Sequence, residues 1–303
     1  MGSLIKAEFR KITSTRLWWA LLIPTVALAT LTALGWAAFT SDTFDALTGE
    51  RAFLGLQVQM EQVSWSAIAV TRSINLTTIF PMIFGALAIS AELNHRTITT
   101  SFLTGSSRGA VLSAKAIAYA VWGAVFGVAI VASSCLGAAI SSDPRFMPEF
   151  GQLALIALAG IGATVLWTLL GLGVGALIGS SVGALVVLLV YALVVGPVGE
   201  LILFAQTDGS HLPGLLPNGS ASGFTGATAA SALVSQVKSA VLNAGGSLPS
   251  IGSTRLDEIE EAIRWAAGTP GALSLGLSAL VFAGWTLLFF GTGVLRNRNR
   301  DIT

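Results

Sequence analysis

The residues best suited to chemistry form few arrangements. Gly179-Ser180-Ser181-Val182-Gly183 satisfies G-x-S-x-G, the pattern of a serine nucleophile on a strand-to-helix turn. That turn works only with an acid and a histidine placed after it. His211 is the one histidine that follows, and His95 the only other in the chain. The run lies between two long apolar stretches, so it reads as a tight interhelical turn, and no catalytic residue is expected. A phosphate-binding loop needs glycine directly before its lysine. Lys6, Lys11, Lys115 and Lys238 follow Ile5, Arg10, Ala114 and Val237. The chain therefore carries no Walker A motif, and no cofactor of its own is expected. One cysteine, Cys135, and two histidines leave no material for a disulfide framework or a metal centre.

Glu200, just after Pro197, is the remaining ionisable candidate. It reads either as a residue lining a substrate path or as one reaching to the outer interface. What positions it is a membrane bundle. Of 303 residues, 53% are hydrophobic and 10% charged, with a mean hydropathy of +0.79. Soluble domains carry about a quarter charged residues. Uncharged runs long enough to cross roughly 30 Å of hydrocarbon mark the spans. They predict an all-α integral membrane protein, a single domain over 1–303, with six transmembrane helices at 17–39, 74–91, 116–141, 152–178, 183–204 and 273–295. The first is read as a retained helix rather than a signal peptide, because its apolar core runs past twenty residues. A further uncharged run, 209–237, has 17 of its 29 residues among Gly, Ser, Thr, Asn, Pro, His and Gln, and is read as a loop.

The Lys/Arg bias sets the orientation. With the N-terminus inside, the short inner segments hold ten Lys/Arg, whereas the short outer loops hold only Arg51, Arg72 and Arg145. Both termini are expected to be cytoplasmic, in a multi-pass protein of the cytoplasmic membrane. Residues 3–16 place Ile5, Phe9 and Ile12 on one helical face and Lys6, Arg10 and Lys11 elsewhere. Such a helix lies along the interface with its apolar face in lipid. A solvated basic tail is the plainer reading. Gly171, Gly175, Gly179 and Gly183, spaced by four, form a smooth stripe for close helix packing. Pro24, Pro81 and Pro197 permit kinks within spans. The large outer region 206–271 ends in an amphipathic helix near 254–267, with Leu256, Ile259 and Ile263 on one face and Asp257, Glu258, Glu260 and Glu261 toward water.

The segment Ala91–Lys115, AELNHRTITTSFLTGSSRGAVLSAK, departs from ordinary loop composition. On physical grounds alone it is a connecting loop. As a short helix across the membrane face, it would present Thr97, Thr100, Phe102 and Leu103 to a partner. Glu92, Thr97, Ile98, Leu103, Arg108, Val111, Leu112 and Lys115 resemble the pattern found after span two in permease subunits of ABC-2-type exporters of the actinobacterial kind. Arg96 and Gly105 stand where that family usually has Gly and Pro. Ala7-Glu8-Phe9-Arg10-Lys11, with Trp18-Trp19, is similar to its amino-terminal helix, and Leu216–Ser222 to its outer motif.

The resemblance implies a division of labour. Two copies of a cytoplasmic ABC ATPase would bind ATP and magnesium, and this chain would pair with a second permease chain, identical or paralogous. Membrane lipids, and no nucleic acid, would be its other partners. A coupling helix between spans two and three would dock the ATPase through Glu92, Arg96, Thr97, Thr100, Phe102, Leu103 and Arg108. The function implied is export of an amphipathic or lipid-like substrate or drug. The alternative is an ATP-independent secondary transporter or channel, which needs ionisable groups at mid-membrane, where Glu200 is the only candidate. An intramembrane enzyme resting on Ser181 and a purely partner-binding membrane protein are further alternatives.

Overall fold

In the computed structural model, residues 1–49, 63–94, 107–207, 209–243 and 253–298 are described. Helices dominate: α1 (Gly2–Ser14), α2 (Leu17–Gly49), α3 (Ser66–Thr77), α4 (Ile79–Asn94), α5 (Arg108–Ser141), α6 (Phe150–Ile178), α7 (Ser181–Val190), α8 (Gly196–Gln206), α9 (Pro217–Asn243), α10 (Ser253–Ala266) and α11 (Leu275–Arg298). Six helical runs are long and apolar enough to cross a membrane: 17–40, 66–94, 108–141, 150–178, 181–206 and 275–297. No strand occurs among the described residues.

The second span starts earlier than its apolar core predicts. The reading of Arg72 as an outer-loop residue is corrected, because 66–72 extend the helix and carry Arg72 into it. A charge inside the run hid this, because the span was drawn as an uncharged gap. Pro81 then explains the break at Thr78. Having no N–H, proline leaves the Thr77 carbonyl unbonded and presses on it, so α3 ends there and α4 begins two residues on. Pro197 acts similarly in the fifth span. The turn Tyr191–Val195 before it widens to π geometry, with Gly196 N–H reaching the carbonyl of Tyr191.

The fourth span, α6, is the hub, packed on α4, α5 and α11. Close backbone approach makes this possible. A Cβ on Gly171 would lie 2.1 Å from the Met82 carbonyl oxygen, and one on Gly175 would lie 2.2 Å from that of Ala86. The surface is reciprocal, since a Cβ on Gly85 would lie 1.9 Å from the Thr168 oxygen. Gly179 ends α6 in the left-handed region (φ 73°), its N–H bonded to the Gly175 carbonyl. Ser180 caps α7 by accepting from Gly183 N–H at 3.3 Å. Buried hydroxyls join spans one, two and three: Ser73 Oγ donates to the Ala29 carbonyl at 2.7 Å and lies 2.8 Å from Ser134 Oγ.

The loop expected over 209–237 is likewise corrected, because it is helical from Pro217. Ala221, Thr225, Ala229, Leu233 and Val237 are all buried and recur every fourth residue. This small-residue stripe lets α9 settle against α3, α6 and α11. Tertiary packing thus overrides the weak helix preference of Gly, Ser and Thr. Beyond it, α10 turns Ile259 and Ile263 onto Leu233, Val234 and Val237. Its Glu260 is held below the ordinary carboxylate range by Arg264 and by Lys238 of α9.

Candidate functional site

The bundle has two ends. At the proximal end lie α1, the finish of α4, the start of α5 and the finish of α11; α9 and α10 occupy the distal end. Burial draws attention to the proximal one. Lys115 is 1% exposed, although a lysine within a lipid-length helix is costly without partners. Two carboxylates surround it. Its Nζ donates to Glu8 Oε2 of α1 at 2.6 Å and to Glu92 Oε1 of α4 at 2.7 Å. Glu92 also accepts from Lys11 Nζ, one turn beyond Glu8 on α1. Two acids and two bases, three of them buried, thus bind α1 to both flanks of segment 95–106.

Apolar packing completes the junction. Ile12 is buried and Phe9 half-buried against Phe84, Leu112 and Tyr119, with the Trp18 ring tilted against that of Trp122 at 5.3 Å. The face of Phe9 and Ile12, expected to enter lipid, therefore turns onto the bundle, because Glu8 shares it and must reach Lys115. Ile5 on the same helix is half-buried. The Tyr119 ring lies 4.8 Å from that of Phe84 and 5.8 Å from Lys115 Nζ. At the start of α5, Ser107 caps the helix by accepting from Ala110 N–H, and Arg108 Nη1 donates to the Asn297 carbonyl at 3.4 Å. Asn297 in turn donates to the Ala176 carbonyl at 3.0 Å. The proximal ends of spans two, three, four and six and α1 are thereby one connected assembly.

Of the docking residues expected from the sequence, Glu92 and Arg108 fall in this assembly, on either side of the segment. Arg96, Thr97, Thr100, Phe102 and Leu103 lie outside the described residues, as does His95. Gly171 and Gly175 sit on the α4–α6 contact, while Gly179 and Gly183 shape the turn that follows. Ser181 in that turn has no histidine beside it among the described residues; His211 lines clefts at the distal end, near Arg264. Glu200 is buried against the first turn of α9, where Oε2 accepts from Asn218 Nδ2 at 3.1 Å. Among the described residues, no three potential ligands come together as a metal site. The site list drawn from the sequence lacked Glu8, Lys115 and Arg72. A lysine beside an uncharged run, with acids at the ends of two neighbouring elements, was the available signal.

The proximal junction is a set of buried ion pairs and packed rings joining three helices. The ion pairs tie the end of α4 to the start of α5, with α1 bonded to both. The chain matches no protein-family model and no curated protein.

Proposed function

We propose that this chain is the membrane-spanning subunit of an ABC-2-type exporter, placed in the cytoplasmic membrane with both termini inside. It moves an amphipathic or lipid-like substrate or drug with energy from ATP hydrolysed by a separate subunit. The supporting observation is the buried Glu8–Lys115–Glu92 junction with Lys11. It grips both flanks of the segment whose sequence resembles a coupling helix. Closure of an ATPase pair against 95–106 would push α4 and α5 together. The tight α4–α6 contact would carry that movement into the bundle, as a two-state change biased by ATP. A second permease chain completes the pathway, and the peripheral spans one and five, each 17% buried against 61% for span two, leave surface for it.

The test is co-purification in detergent with the ATPase encoded beside this chain, followed by ATP hydrolysis and substrate export in proteoliposomes. A stable complex is expected, with Phe102→Ala weakening it and Glu92→Ala leaving hydrolysis uncoupled from export. If no ATPase binds and export follows an ion gradient alone, the reading fails and a secondary transporter takes its place.

A further inference from the structure

The distal end holds a second charged site, whose use does not depend on ATP or on a coupling partner. A cleft of about 360 Å³ opens between α3, α8, the start of α9 and the turn after α10. Its walls include Trp36, Arg72, Asn75, Glu200, Asn218 and Trp265. Arg72 is half-buried. Its Nε donates to the Ala266 carbonyl at 2.8 Å, its Nη2 to that of Trp265, and its guanidinium lies 5.1 Å from the Trp36 ring centre. Among the described residues Nη1 has no hydrogen-bond acceptor. Glu200 is 7% exposed, and its Oε1 lies against Gly219 without completing a hydrogen bond of good geometry.

Neither charge has an ion-pair partner among the described residues. Helix ends favour both, since Arg72 meets the last carbonyls of α10 and Glu200 the first turn of α9. That help is smaller than the cost of withdrawing a carboxylate from water, which is why buried charges are ordinarily paired. Here a cation and an anion border one cleft and do not pair with each other. A ligand bearing both signs, set apart, satisfies them together.

We propose that this cleft binds the headgroup of a zwitterionic membrane lipid with a primary ammonium, the phosphate on Arg72 and the ammonium on Glu200. Guanidinium N–H groups match phosphate oxygens. A quaternary ammonium is disfavoured because it donates no hydrogen bond and needs open aromatic faces. Trp36 is covered by Arg72, and Trp265 is packed edge-on with Phe204 at 5.3 Å. A lipid rather than a soluble zwitterion fits because Leu76 and Leu201 on the rim are exposed, offering apolar surface to acyl chains. Tryptophans at this level match the membrane interface, where headgroups lie.

The experiment uses the purified chain in detergent, without any ATPase, and native mass spectrometry with four probes: short-chain phosphatidylethanolamine, phosphatidylcholine, phosphatidylglycerol and soluble glycerophosphoethanolamine. Phosphatidylethanolamine is expected to bind most tightly. Glu200→Gln, which keeps an oxygen for Asn218, should weaken it by about tenfold or more and leave phosphatidylglycerol unchanged. Ser222→Leu, filling the cleft without touching either charge, should abolish the preference. Equal binding of the three lipids, or a preference that survives both variants, overturns the proposal. Glycerophosphoethanolamine binding as tightly as the lipid overturns the lipid assignment. A missing ATPase partner would leave these outcomes unaffected.

Discussion

At the scale of single residues, Lys115 shows how a charge is kept in an apolar bundle. Burying an ammonium costs several kcal/mol, and two carboxylates at 2.6 and 2.7 Å offset that only while both are present and charged. Removing the lysine is worse than removing an acid, because both buried carboxylates lose an ion pair at once, Glu8 its only one among the described residues. Lys115→Met is expected to destabilise the protein by about 3–5 kcal/mol, the range for breaking a buried pair. Lys11→Met loses a partly solvated partner and should cost about 1 kcal/mol or less. Thermal unfolding in detergent separates the two. Equal losses would mean that Lys115 is not the keystone of the junction.

Elements in this chain are held by what glycine omits. Spans two and four approach until the Cβ positions of Gly171 and Gly175 fall 2.1 and 2.2 Å from backbone oxygens of α4, which cannot move aside as a flexible side chain would. Gly175→Ala should therefore force the helices apart, at a cost of about 1–3 kcal/mol or more. Gly284→Ala on span six is the matched control, because its Cβ meets nothing within 4 Å. It should be neutral or slightly stabilising by helix preference. A melting temperature lowered in the first variant and unchanged in the second is the expected result. Such packing was only half legible in sequence. The four-residue spacing on α6 was visible, but its partner surface at Gly85 was a lone glycine with no period to mark it. The same limit hid α9. Counting Gly, Ser and Thr as loop formers concealed the fourfold recurrence of Ala221, Thr225, Ala229, Leu233 and Val237, which has meaning only once a neighbouring helix covers it.

For the whole molecule, the number of spans was legible because lipid thickness demands about twenty uncharged residues. Their ends were less so, since Arg72 sits inside a helix whose start is covered by α9. The pairing of Glu8, Glu92 and Lys115 could not be read either, because no local rule links residues 8 and 115. The sidedness of the bundle rests on the Lys/Arg bias alone, and the exporter reading depends on it. Thr13 is exposed on α1 at the proximal end, and Ser235 is exposed on α9 at the distal end. In a Cys135→Ala background, Ser235→Cys should react in intact cells with a membrane-impermeant maleimide. Thr13→Cys should react only after the membrane is opened. The opposite pattern would put segment 95–106 outside the cell, beyond the reach of any ATP-hydrolysing partner. The exporter reading would then fall, whereas the zwitterion cleft would stand and face the inner leaflet instead.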